Sequence, residues 1–219
     1  MTADPVFQRT AAADASVVIE VFADIWCPYA HVGIRRFVHR RWAVRRDDLV
    51  LQVRAWPLEL VNGEPLDTHH VAEQVHDLRQ QVAPDLFGAF DSARFPCTTL
   101  PALDLVNDAY AAGAMTGERA SLAVRDALFE RGQDISDPDV LDRLRVDLAL
   151  GPPRPGARRQ VLAEWAEGRR RGVVGSPHFF VGDAGFFCPT LQIDRQDGHR
   201  RIRIDSKGFD ELFARCSAA

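Results

Sequence analysis

Cys27 is the residue whose type and place offer the most chemistry. It lies in the stretch Asp24-Ile25-Trp26-Cys27-Pro28-Tyr29-Ala30, after an apolar run and before a proline that suits the first position of a helix. A thiol at a helix start meets unpaired backbone N–H groups and the positive end of the helix dipole. Such surroundings favour thiolate and bring a cysteine pKa to roughly 3.5–7.5. Thiolate attacks disulfides and other electrophiles. The competing use of a free cysteine is as a small buried hydrophobe. His31, in the first turns of the same helix, offers an acid or base near pH 7, or support for the thiolate, and equally suits packing. Tyr29 offers a donor inside the loop, Trp26 a wall of core or pocket, and Asp24 a buried proton acceptor or a cap for the turn. Cys97, Cys188 and Cys216 lie far apart, without metal-knuckle spacing. A zinc set of Cys27, His31, His178 and Cys188 can be drawn, but without such spacing no metal is expected.

The elements that must hold Cys27 read as two halves around a helical block. Residues 17–23 form a buried strand, and a helix over about 29–44 carries Ile34, Phe37, Val38 and Trp42 on one stripe. A second strand over 49–56 ends at Pro57, giving β-α-β with a connection long enough for a parallel pair. From about 61 to 154 no strand signal appears. Helices are expected over 67–83, 101–112, 117–131 and 138–150, with a short helical piece from Pro84 to Phe90. Asp137-Pro138 supplies a cap and a first-turn proline. Then follow a helix over 157–172, a strand over 178–181, a turn at 182–185 and a partner strand at 186–188. An extended or irregular piece over about 190–205 turns at Asp197-Gly198, and a last helix begins near Lys207. The expected organisation is one domain from 17–60 with 155–219, and an all-helical insertion over 61–154.

Trp26-Cys27-Pro28-Tyr29-Ala30 after the first strand, and Gly175-Ser176-Pro177-His178-Phe179 before the third, resemble the two active-site loops of the thioredoxin superfamily. With the helical block between its halves, the chain resembles the DsbA-like branch, which includes 2-hydroxychromene-2-carboxylate isomerases and kappa-type glutathione transferases. Gly132-Gln133-Asp134-Ile135-Ser136-Asp137 is similar to that branch's helical-domain segment. The resemblance implies an α/β thioredoxin fold with an all-helical insertion. It also implies a cis Pro177 lying against Cys27, and a Ser176 backbone that meets an extended thiol partner like a strand edge. The loop carrying Cys188 would return toward the mouth of the site, where Cys188 resolves, lines or simply ends a strand. Redox members carry Cys-x-x-Cys; here the fourth position is Ala30, so no local dithiol forms. Exchange with a small thiol, a resolving cysteine from elsewhere, or chemistry without redox change remain.

Composition narrows the partners. The 219 residues, 46% hydrophobic and 26% charged, suffice for a large core without disulfides or a structural metal. With 31 acidic against 27 basic residues, the net charge of −4 carries no footprint of a nucleic-acid binder. All but one of the basic side chains are arginine, and pairs such as Arg35-Arg36 and Arg40-Arg41 read as a solvated helix face balanced by acids elsewhere. No apolar run reaches membrane length, and residues 1–16 lack the pattern of a secretory signal. Scattered cysteines fit a thiol-reducing, cytoplasmic setting. The chain thus reads as a monothiol thiol-disulfide oxidoreductase: Cys27 is catalytic, and Trp26, Pro28, Tyr29, Ala30, His31, Ser176, Pro177 and Cys188 form the site. Glutathione or an equivalent small thiol serves as co-substrate with no tightly bound cofactor, and a disulfide or an electrophile is the substrate. Two alternatives stand. One is an isomerase or transferase in which a thiol cofactor's sulfur attacks; the other is a non-catalytic binding module. Related folds often form homodimers, and no stretch here marks an interface.

Overall fold

The computed structural model describes residues 16–197 and 199–217. Gly198 of the expected Asp197-Gly198 turn, and most of the 1–16 stretch, lie outside the described residues. In chain order, β1 (Val17–Ala23) leads into α1 (Pro28–Ala43) and β2 (Leu49–Ala55). Six helices follow: α2 (Leu58–Asn62), α3 (Thr68–Gln81), α4 (Leu100–Ala112), α5 (Ala114–Phe129), α6 (Pro138–Asp147) and α7 (Ala157–Arg170). The chain closes with β3 (His178–Val181), β4 (Ala184–Phe187), β5 (Leu191–Gln196), β6 (His199–Ile204) and α8 (Ser206–Ser217).

One sheet has the order β2-β1-β3-β4, with β1 and β2 parallel and the other pairs antiparallel. Strand alternation divides its side chains between two cores. Ile19, Val21 and Ala23 join Leu51, Val53, Phe179 and Val181 on the face covered by Ile34 and Phe37 of α1 and Leu212 and Phe213 of α8. Phe22 and Phe180 point the other way, onto Trp56 and Val173, with Trp165 of α7 packed against them. A third and larger core fills the helical block and reaches Ile25, Trp26 and Val32. Helix α1 therefore lies between two cores, and Cys27 sits where they meet.

The edge of β2 is closed by a side chain from α4. Tyr110 Oη accepts the Val53 N–H at 2.8 Å and donates to the Leu51 carbonyl at 3.2 Å. Gly117 of α5 admits that ring; a Cβ there would lie 2.1 Å from Tyr110 Cδ1. The arginines of α1 are answered by acids: Arg35 pairs with Asp126, Arg41 with Glu118 at 2.7 Å and Arg40 with Asp210 at 3.3 Å. Two of these pairs tie α1 to α5.

Four segments depart from the sequence reading. Residues 84–90 form turns, not a helix. Phe87 takes a φ of 64°, and the Phe87 and Gly88 N–H groups go to Glu130 Oε1 and Oε2 at 3.1 and 3.2 Å rather than to helical carbonyls. The β3–β4 connection is tighter than expected: Val181 pairs with Ala184 across Gly182-Asp183, so β4 starts at 184 instead of 186. The stretch near 190–205 is a regular hairpin, β5–β6, docked on α3: Gln81 Oε1 accepts from Ile202 N–H at 2.8 Å, and Arg200 donates to Asp77 at 3.2 Å. Helix α2 has no counterpart in the sequence reading; Pro57 precedes it, and the Asp24 carboxylate accepts its first N–H, that of Leu58.

Candidate active site

Cys27 is the N-cap of α1, with extended backbone and Pro28 at the first helical position. Its carbonyl accepts the His31 N–H at 3.1 Å, so the helix begins at the cysteine itself. Cys27 is 4% exposed. Its Sγ lies 3.1 Å from the carbonyl oxygen of Ser176, and the Ser176–Pro177 peptide is cis. The Ser176 hydroxyl accepts the Asp24 N–H at 3.0 Å, which joins the two loops a second time. Pro177 O in turn accepts the Cys188 N–H at 2.9 Å. Close packing completes the junction: a Cβ on Gly33 would lie 3.4 Å from Pro177 Cγ and 3.3 Å from Thr190 Oγ1. Ala30, where a dithiol enzyme would have its second sulfur, is fully buried in the sheet core.

Electrostatics correct the expectation of a depressed thiol pKa. Burial pushes the Cys27 thiol up from its ordinary value, against the Ser176 side chain, the Ala30 N–H and the Arg125 charge. The contact with Ser176 O agrees with this, since only a protonated thiol can donate to a carbonyl. Asp24, fully buried beneath the loop, has its carboxyl pushed up to about 6 by burial, with Leu58, Thr99 and Arg125 acting the other way. The helix start alone does not set the thiol; desolvation wins.

The other side chains named from the sequence divide between mouth and core. Tyr29 is half-buried, packs against both adjoining cores, and its hydroxyl is held above its ordinary value by burial. The charges acting on it include Arg200, Cys27, Asp77 and Cys188. Cys188 is buried, has a φ of 44°, and burial pushes its thiol up to about 12. All four cysteines are free. Trp26 is fully buried and stacks on Phe95 at 5.6 Å, inside the helical core. His31 is not brought to the thiol. Its ring lies against Phe87 and Phe129, and Nε2 bonds Glu130 at 2.6 Å. Burial holds His31 below its ordinary pKa despite that partner. His178 is buried in β3 and stacks on Phe180 at 4.7 Å.

Two residues that hold the loops around the site escaped the sequence reading. Glu130, just past α5, bonds His31 and the 87–88 turn together; burial works to raise its carboxyl, but those three hydrogen bonds bring it down to about 2. Arg125 of α5 is 1% exposed and donates to the carbonyls of Asp24 and Ile25 at 2.6 and 3.4 Å. A signal for it existed: Ser121, Val124, Arg125 and Leu128 share one helix face, and an arginine among apolar neighbours on such a face is buried with them.

No protein-family model matches the sequence, and no curated protein matches it. Solved structures do match. The cytosolic disulfide reductase DsbM from Pseudomonas aeruginosa superposes with a TM-score of 0.60 at 15% identity, over 93% of this chain and 100% of that one. The same protein with GSH gives 0.55 at 15% identity, over 92% and 99%. A 2-hydroxychromene-2-carboxylate isomerase gives 0.57 at 12% identity, over 78% and 88%. The oxidoreductase NmDsbA1 from N. meningitidis gives 0.50 at 12% identity, over 99% and 88%. Identities this low carry the fold. The chain has a DsbA-like thioredoxin fold, mixed α/β. Among the described residues no helix is long and apolar enough to cross a membrane.

Proposed function

We propose that the chain is a monothiol thiol-disulfide oxidoreductase that acts through Cys27 and a low-molecular-weight thiol such as glutathione. The observation that carries this reading is the Cys27 sulfur at the start of α1, 3.1 Å from Ser176 O, with Ala30 in place of a second cysteine. The Cys27 thiolate attacks a disulfide, keeps one half as a mixed disulfide and releases the other as a thiol. A small thiol then attacks the held sulfur, leaves with it as a disulfide and returns Cys27 to thiolate. Ser176 and Pro177 hold the partner's backbone; Trp26, Pro28 and Tyr29 shape the loop, and Cys188 lines its mouth. DsbM, a disulfide reductase seen with GSH, supports the choice of a small thiol. A helical insertion over 61–154 and a reducing, cytoplasmic setting belong to the same reading.

One observation favours a second reading. The raised, carbonyl-bonded Cys27 thiol suits a site in which the sulfur of a bound thiol attacks instead, as in an isomerase or transferase. Glutathione-dependent reduction of a small mixed disulfide separates the two. The first reading expects Cys27→Ser to fall to background while Cys97→Ser, changed at an exposed loop cysteine, keeps parent turnover. Turnover retained in Cys27→Ser would contradict it and favour the cofactor sulfur. A parent without activity would favour a binding module.

A further inference from the structure

Arg125 carries a full charge that the packing of the helical block does not require. Nη1 bonds only the backbone carbonyls of Asp24 and Ile25. Nε and Nη2 have no hydrogen-bond partner among the described residues, and neither does Ser121 Oγ one turn earlier. A buried guanidinium with no carboxylate bonded to it draws any acid beside it toward its charged form. The ionisable groups acting on it most strongly are Cys27, then Asp24, with Tyr110 and Asp126 behind them. The two carbonyls it grips belong to the loop that ends at Cys27.

We propose that Arg125 is the positioning residue of the thiol site: from α5 it fixes the loop that presents Cys27 and supplies the buried positive charge against which Cys27 ionises. The proposal rests on the reading of Cys27 as the nucleophile. The groups that act on Cys27 or feel its charge include Asp24 on its own loop, Tyr29 on α1, Ser176 before β3, Cys188 after β4 and Arg125. Arg125 is the one cation among them, and it stays protonated at neutral pH even though burial brings it down to about 10. Asp24 is its rival claimant. Charged, the Asp24 carboxylate takes up the Arg125 field and opposes the thiolate; neutral, it leaves that field to the sulfur. One buried cation thus serves two acids, and the protonation of one tunes the other.

The test is the pH profile of Cys27 alkylation by iodoacetamide, located by peptide mass in a Cys97→Ser background, with folding checked by near-UV circular dichroism. Arg125→Met is expected to raise the Cys27 midpoint by a unit or more, slowing alkylation at pH 7 about tenfold. Arg125→Lys keeps the charge and is expected to stay within about threefold of the parent. Asp24→Asn removes the rival and is expected to speed alkylation at pH 7 by about threefold or more. A folded Arg125→Met with the parent's midpoint overturns the proposal, since a merely structural role lowers stability without moving the profile. Should Arg125→Met fail to fold, an unmoved or slower Asp24→Asn overturns it instead. A parent whose Cys27 never titrates removes this proposal and the oxidoreductase reading together; a titrating parent with unshifted variants removes this proposal alone.

Discussion

Replacing Asp24 with asparagine is expected to make the protein more stable at neutral pH, with a gain that disappears in acid. The carboxyl is fully buried, accepts the Leu58 N–H, and lies 3.5 Å from the Trp26 nitrogen. Burial raises its pKa from 3.8 to about 6. With the folded-state value above the unfolded one, the unfolded chain releases this proton first. The native advantage is therefore whole below pH 3.8 and drains away as pH rises through about 6. Just over two units at about 1.36 kcal/mol each make the ionised carboxyl a burden of about 3 kcal/mol at pH 7. Asparagine keeps an acceptor for Leu58 but adds an NH2 group that needs a partner, which offsets about 1 kcal/mol. The expected net gain is about 2 kcal/mol at pH 7, fading between about pH 6 and pH 4. Urea unfolding followed by tryptophan fluorescence reads it, since Trp26 is buried and stacked on Phe95. A gap of the same size at pH 4 and pH 7 would refute the reasoning, because it would mean that Asp24 ionises at its ordinary pKa.

Three further outcomes follow from the same geometry. Glu130→Gln strips charge from three hydrogen bonds that join α1 to the 87–88 turn, and is expected to destabilise by about 1–3 kcal/mol in urea; an unchanged midpoint would count against that joint. Gly117→Ala drives a methyl into the Tyr110 ring, and a thermal melt is expected to show a loss of about 1–3 kcal/mol; a Tm equal to the parent's would mean that the α4–α5 contact is looser than described. Ser176→Ala removes the acceptor of the Asp24 N–H and is expected to cost about 1 kcal/mol and to slow disulfide exchange; parent-like stability and exchange would show that this bond does not hold the two loops together.

What was legible in the sequence was local. The β-branched run before Cys27 and Pro28 after it mark a strand-to-helix turn within a dozen residues, and β1 and α1 form there. The state of the thiol was not legible, because burial by two adjoining cores is a tertiary property that overrides the helix start. The same holds for residues 84–90, whose helical composition loses to a carboxylate more than forty positions away. The β5–β6 hairpin hid behind its arginines. Leu191, Ile193, Ile202 and Ile204 do alternate along it, but half of that face becomes core only when α3 docks on it. By sequence spacing His31 suited the thiol and the packing equally. On a helix, four residues bring a side chain back to nearly the same face, yet α1 is covered on two sides and His31 turns to the helical block. Arg125 had a readable pattern and no nearby motif to draw attention to it.

The most direct measurement is the intact mass of Cys97→Ser protein after exposure to glutathione disulfide, with the Cys27→Ser, Cys97→Ser double variant alongside. A monothiol mechanism expects one glutathione adduct on the first protein, none on the second, and its removal by excess glutathione. No adduct on the first protein, or loss of two hydrogens through a disulfide to a second cysteine, would contradict it.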